Sequence, residues 1–198
     1  MSKKLNNNLK KILLIGGTGY LGAHAAVALT EAKFEVVLYD NLSNSKRSGS
    51  VDGINIIEFN LPYSNSDKFI KRGLIFLSFA MKSIGIALTQ KYDIVFATTT
   101  PLTASIPGIF ARWFRGKKFV FEVRDLWPEL PKEMGVITNP IILKGMSILE
   151  WLSYRSAHRC IGLSPGIVEG ISKRGVSKDK IKLIPNGCDF DIFNSKSK

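Results

Sequence analysis

Two cysteines and two histidines are all that 198 residues offer for thiolate or imidazole chemistry. Cys160 and Cys188 form no CxxC pair, which argues against a disulfide framework or a zinc site. His24 and His158 are too few to complete a metal cluster, so no metal is expected. Acidic residues are scarce as well, 16 against 28 basic ones, and the formal net charge is +12. Such a balance favours polyanionic partners: nucleic acid, anionic lipid or phosphorylated substrates. Zinc-finger spacings and RNP-type aromatic motifs are also missing, which removes nucleic acid from the expected partners.

A membrane-spanning run is the last notable absence. Residues 12–30 carry no charge and follow Lys10 and Lys11, imitating a signal peptide. They hold Gly16, Gly17, Gly19, Gly22 and His24 in a loop-like order, which a phosphate-loop reading explains better. Residues 94–111 are also uncharged, but three consecutive threonines, Pro101 and Pro107 make them strand, loop and helix start. A cytoplasmic protein without a transmembrane segment is expected.

What is present is alternation. A polar tail (1–9) precedes a buried strand KILLIG (11–16) and a run of helix formers at 20–32. Strands are expected at 34–40, 53–60, 92–100, 117–123, 158–164 and 180–187, and helices at 102–114, 140–156 and 165–175. Residues 41–53 read as loop throughout, and RDLWPELPKEMG (124–135) as a long irregular connection. The expected fold is α/β: a single Rossmann-like, doubly wound parallel sheet with helices on both faces and sites at the strands' carboxyl ends. Residues 10–190 form one domain on this reading, with 191–198 as a tail.

One helix stands apart. From Ser66 to about Gln90, Ile70, Leu74, Leu77, Met81, Ile84 and Leu88 keep three- and four-residue spacing. Phe69, Phe76, Phe79 and Ile86 add a second stripe. Two readings stay open: a helix buried against the sheet, or a surface that meets a membrane with help from Lys68, Lys71, Arg72 and Lys82.

The glycines of GGTGYLG, at 16, 19 and 22, allow a tight strand-to-helix turn and close approach of a diphosphate. The helix amino terminus that follows offers free N–H groups and a positive dipole end. Asp40, ending the second strand, is placed to accept from ribose hydroxyls. Residues 11–45, including YDNLSNS, resemble the opening of UDP-glucose 4-epimerase, an extended short-chain dehydrogenase. That resemblance implies an NAD site at Gly16, Gly19, Tyr20, Leu21, Gly22, Asp40, Asn41 and Asn44. Dehydrogenases of this kind use a tyrosine with a lysine four residues later. Here the residues four beyond the five tyrosines are His24, Ser43, Asp67, Phe96 and His158. Redox catalysis is therefore not expected. NAD binding and a purely structural strand–turn–helix both remain open.

From residue 51 onward a different resemblance takes over. DGINIIEFNLPYSNSDKFIKRGLIFLSFAMKS, DIVFATTTPLTASIPG, FVFEVRDLWPELPKEMG, HRCIGLSPGI and IKLIPNGCD, in that order, resemble the amino-terminal domain of family-4 glycosyltransferases. The fucosamine-transferase-like group that builds bacterial surface polysaccharides is the nearest in kind. The resemblance implies a GT-B fold whose amino-terminal half binds acceptor, lipid-linked or sugar. The nucleotide-sugar donor would bind a separate domain that the chain ends before reaching, so activity of this chain by itself is uncertain. No cofactor is implied for transfer. Arg124 and Asp125, at a strand's carboxyl end, would orient an acceptor hydroxyl or meet a sugar phosphate. Trp127-Pro128 reads as a rigid packed loop. Ser164 is either an N-cap before Pro165 or the start of a phosphate-holding helix terminus. The basic charge and the 66–90 helix suit peripheral contact with the inner face of the membrane. The chain thus resembles an epimerase-type unit (10–47) grafted onto a transferase domain (51–190). A nucleotide-binding module without catalysis and a non-functional fusion remnant are the alternatives.

Overall fold

The computed structural model describes residues 9–16, 20–40, 49–51, 54–58, 69–99 and 101–187. Among the described residues there are eight strands: β1 (Lys11–Ile15), β2 (Glu35–Asp40), β3 (Gly49–Val51), β4 (Ile54–Glu58), β5 (Ile94–Thr98), β6 (Lys118–Val123), β7 (Arg159–Gly162) and β8 (Ile181–Leu183). They form one sheet in the order β3-β4-β2-β1-β5-β6-β7-β8. Every pairing is parallel except β3 with β4. Strand β3 corrects the reading of 41–53 as loop throughout. A three-residue edge strand needs only the open backbone of β4, so Gly and Ser do not prevent it.

Six α-helices among the described residues connect the strands: α1 (Tyr20–Glu31), α2 (Phe69–Thr89), α3 (Ile106–Arg115), α4 (Glu129–Glu133), α5 (Pro140–Ser156) and α6 (Pro165–Lys173). Helix α4 lies inside the connection expected to be irregular. Its five residues are too short to show a helical period in sequence. Helix starts follow their local chemistry. Asn139 caps α5, its side chain accepting from the Ile141 and Ile142 N–H groups, with Pro140 at the first helical position.

The two faces of the sheet are covered unequally. Leu14, Val36, Leu38 and Ile54 pack with Ala26 and Leu29 of α1 on one face. On the other, Leu13, Ile15, Val37, Tyr39, Val95, Ala97, Phe119, Phe121 and Cys160 form the main core. Phe79, Ile86 and Ala87 of α2, Ala111 of α3, Tyr154 of α5 and Ile171 of α6 pack against it. Alternation along each strand sends successive side chains to opposite faces, which is why Leu13 and Leu14 enter different clusters.

Helix α2 divides the two stripes seen in the sequence. Ala80, Ser83 and Ala87 are buried, and Phe79 stacks on Tyr39 at 5.3 Å. Leu74, Leu77 and Met81 are exposed. The three-and-four spacing identifies a helix face but not which face meets the sheet.

Topology then locates the working edge. The chain leaves β1 through α1 on one face, and returns from β4 to β5 through α2 on the other. Strands β1 and β5 are neighbours. Their carboxyl ends therefore flank a switch point, where the two diverging connections leave a crevice.

Candidate functional site at the carboxyl edge of the sheet

Three adjacent strand ends, β1, β5 and β6, line this crevice. Gly16 follows β1 with φ of 78° and donates its N–H to the Tyr39 carbonyl at 2.9 Å. That left-handed backbone conformation suits glycine and turns the chain sharply from strand toward α1. Gly22 is buried in α1, and Tyr20 and Leu21 form its first turn. Asp40 is buried at the end of β2, one residue beyond the carbonyl that holds Gly16. Gly19, Asn41 and Asn44 lie outside the described residues. Of the expected dinucleotide set, Gly16, the start of α1 and Asp40 share one edge of the sheet.

The end of β6 is built from side chains instead. Arg124 donates through Nε to Thr98 Oγ1 at 2.7 Å and to Glu122 Oε2 at 3.0 Å. One terminal nitrogen, Nη2, also meets Glu122 Oε2 at 3.0 Å. Its backbone N–H donates to Thr99 Oγ1 at 2.7 Å, while Thr99 N–H donates back to the Glu122 carbonyl at 2.9 Å. Both charged side chains are largely buried, 21% and 16% exposed. Sequence reasoning named Arg124 and Asp125 but missed Glu122, Thr98 and Thr99. Strand alternation held the signal: Phe121 and Val123 enter the core, so Glu122 faces the other way, beside the residue two later. Asp125 follows Arg124 directly in the same half-buried turn.

The segment after Arg124 is pinned to the helices of the main core. Leu126 occupies the space that a Cβ on Gly170 of α6 would enter, 2.4 Å from its Cδ1. Trp127 packs against the core and Pro128 is buried, as a rigid loop requires. Arg174 bridges Glu129 and buried Glu150, reaching the latter at 3.0 Å through Nε. Burial raises the Glu150 carboxyl to about 7, with Arg174 opposing and Glu129 adding to the rise. Burial also raises the Tyr154 hydroxyl, and Glu150 raises it further. Ser164 caps α6, its Oγ accepting from Ile167 N–H at 3.3 Å.

Beside this turn lies an apolar groove of about 540 Å³, lined by Leu74, Leu77, Leu102, Trp127, Met134 and Met146 among others. Two buried polar atoms at its wall, Trp127 Nε1 and Thr103 Oγ1, have no hydrogen-bond partner among the described residues. Pro101 and Leu102 follow β5, and Trp127 follows β6. The groove thus opens on the same edge as the Arg124 cluster. Such an edge can hold an amphiphile, with a fixed guanidinium and carboxylate for its polar end and a greasy channel for its tail. Among the described residues no three His, Cys, Asp or Glu side chains stand together as a metal site would need.

Known proteins resemble the chain in two ways. UDP-glucose 4-epimerase of Klebsiella pneumoniae is 54% identical over 37 residues, 19% of this chain and 27% of that protein. UDP-glucose 4-epimerase of Neisseria meningitidis serogroup B is 51% identical over 37 residues, 11% of its length. The chain therefore spans a small part of these relatives. Among solved structures, HepE of Anabaena, in complex with UDP and glucose, superposes with a TM-score of 0.53 at 18% identity. That match covers 95% of this chain and 48% of HepE. A putative UDP-N-acetylglucosamine 2-epimerase of Listeria monocytogenes gives 0.56 at 14% identity, covering 87% of this chain and 44% of the other. This chain spans about half the length of both structures, and at such identities the likeness establishes the fold, that of a GT-B amino-terminal domain. The model of Glycosyltransferase Family 4 matches residues 15–192, from the end of β1 past the end of β8. The chain belongs to Glycosyltransferase Family 4.

Proposed function

We propose that this domain is the acceptor-binding half of a sugar transferase of the kind that builds surface polysaccharides, of the fucosamine-transferase-like group. The observation that carries the reading is the join of a polar cluster to an apolar groove at one edge of the sheet. An isoprenyl-diphosphate-linked acceptor has the matching shape, a polyanionic head on a long apolar tail. Arg124 and Asp125 meet the head or orient the attacking hydroxyl, and the groove takes the first isoprene units. Donor sugar comes from a second domain across the cleft, in the same protein or another. Transfer needs no bound cofactor on this reading.

The opening unit, residues 10–47, is epimerase-like and serves chiefly to close the sheet. A second reading keeps it as an NAD or nucleotide module without redox catalysis, because Gly16 and Asp40 do share one edge. Calorimetric titration of the whole chain with farnesyl diphosphate, UDP-glucose and NAD separates these. Saturable farnesyl diphosphate binding with no response to NAD supports acceptor recognition. Saturable NAD binding with no response to farnesyl diphosphate favours the second reading.

A further inference from the structure

Helices α2, α3 and α5 lie side by side over the main core, and their outer surface has an unusual composition. Together they carry seven cations: Lys71, Arg72, Lys82, Arg112, Arg115, Lys144 and Arg155. Their only acidic residue is Glu150, which is buried against Arg174. The three helices themselves therefore place no carboxylate on their outer face.

The same face exposes large apolar side chains in helical register. On α2 these are Leu74, Leu77 and Met81; on α3, Trp113 and Phe114, 64% and 73% exposed; on α5, Ile141, Ile148 and Trp151. Lys144 and Arg155 continue the α5 stripe at the same spacing. Arg155 lies over the Trp151 ring at 5.6 Å, and Trp113 Nε1 donates to Ser156 Oγ at 2.8 Å. Between α3 and α5 is a basin of about 580 Å³, lined by Arg112, Trp113, Trp151, Arg155, Ser177 and Lys180, with no acidic side chain among the described residues of its wall. The nearby carboxylates are occupied: Glu129 and Glu150 by Arg174, and Asp179 by the Ser177 hydroxyl.

We propose that this three-helix face docks on an anionic lipid bilayer, with the α3–α5 basin receiving a phospholipid headgroup phosphate. Aromatic and aliphatic side chains ringed by Lys and Arg are the signature of a surface that lies in the interface. Each basic residue near an anionic leaflet adds to the attraction. Helix α2 is long and apolar enough over Lys71–Thr89 to cross a membrane. Its inner side is committed to Tyr39 and the core, and Arg115 Nη1 donates to the Ala87 and Gln90 carbonyls at its end. It therefore lies on the bilayer rather than crossing it. This inference shares Arg72, Leu74 and Leu77 with the wall of the acceptor groove, but its other cations, its α3–α5 basin and the remaining apolar side chains belong to neither that groove nor the Arg124 cluster.

Co-sedimentation of the full chain tests it, using phosphatidylcholine vesicles and vesicles of equal parts phosphatidylcholine and phosphatidylglycerol. Binding to the mixed vesicles at least tenfold tighter than to the neutral ones is expected. The triple variant Arg112→Glu, Lys144→Glu, Arg155→Glu should lose at least tenfold of it. Met81→Ser with Phe114→Ser should weaken it by a comparable factor, and Val27→Ser on α1 should leave it unchanged. Circular dichroism melts confirm that each variant folds. Equal binding to both vesicle types overturns the proposal. So does a concentration-dependent dimer, without lipid, that the Met81 and Phe114 changes dissolve, because the face would then belong to a second copy.

Discussion

The turns after β1 and after β6 sit on one edge of one sheet with only β5 between them, yet they are made of different things. The β1 turn is backbone: a glycine at φ of 78°, a helix terminus and one buried carboxylate behind it. The β6 turn is a side-chain assembly in which Arg124, Glu122, Thr98 and Thr99 hold one another. Its continuation is fastened to α5 and α6 through Glu129, Arg174, Glu150 and Leu126. A glycine turn is visible as a motif because backbone geometry restricts residue type. A cross-strand cluster leaves no such pattern, although it fixes chemical groups more firmly.

If the β6 side is the more tightly built, substitutions there should change stability more, in either direction. The largest effect is expected from Glu150. Its folded carboxyl stands near 7 against an ordinary 4.5, so it favours folding below pH 4.5, and that contribution is lost as pH rises through 7. At 1.36 kcal/mol per pH unit the difference amounts to about 3 kcal/mol. Urea denaturation of the Glu150→Gln variant should gain about this much on wild type between about pH 4.5 and about pH 8. A constant difference between the two proteins would mean that the β6 connection is not anchored on a buried, destabilised carboxylate.

Arg124→Ala comes next. It removes two side-chain hydrogen bonds and the ion pair, leaving Glu122 largely buried without its partner. A loss of about 2 kcal/mol is expected in the same denaturation experiment. A loss under about 0.5 kcal/mol would place Arg124 among ordinary surface charges. The smallest effect belongs to the β1 turn. A Cβ at Gly16 meets no atom within 4 Å, so Gly16→Ala costs only backbone strain, about 1 kcal/mol. A cost above that of Arg124→Ala would reverse the comparison.

Most of the fold was legible from periodicity. The alternation of strand and helix is local, and all seven expected strands stand where apolar runs are bounded by turn residues. Three features escaped for physical reasons. Strand β3 exists because β4 offers an open edge, which no property of Gly49–Val51 encodes. Helix α4 is held by Arg174 and by packing rather than by its own pattern. On α2, Leu74, Leu77 and Met81 looked as suited to the core as Phe79 and Ile86; the sheet chose by shape, taking Ala80, Ser83 and Ala87 with the larger pair. The candidate site was half legible. Arg124 stood out as a charge after an apolar strand. Its ties to Thr98 and Thr99 cross from β6 to β5, a distance of 25 or 26 residues in sequence.

The most direct test of the central claim, that this edge engages acceptor at β6 rather than cofactor at β1, is one calorimetric series. Wild type, Arg124→Ala and Asp40→Ala are each titrated with farnesyl diphosphate and with NAD. The account predicts saturable farnesyl diphosphate binding, weakened at least tenfold in Arg124→Ala, retained in Asp40→Ala, and no saturable heat from NAD. Saturable NAD binding that disappears in Asp40→Ala, with farnesyl diphosphate silent in all three proteins, would contradict it.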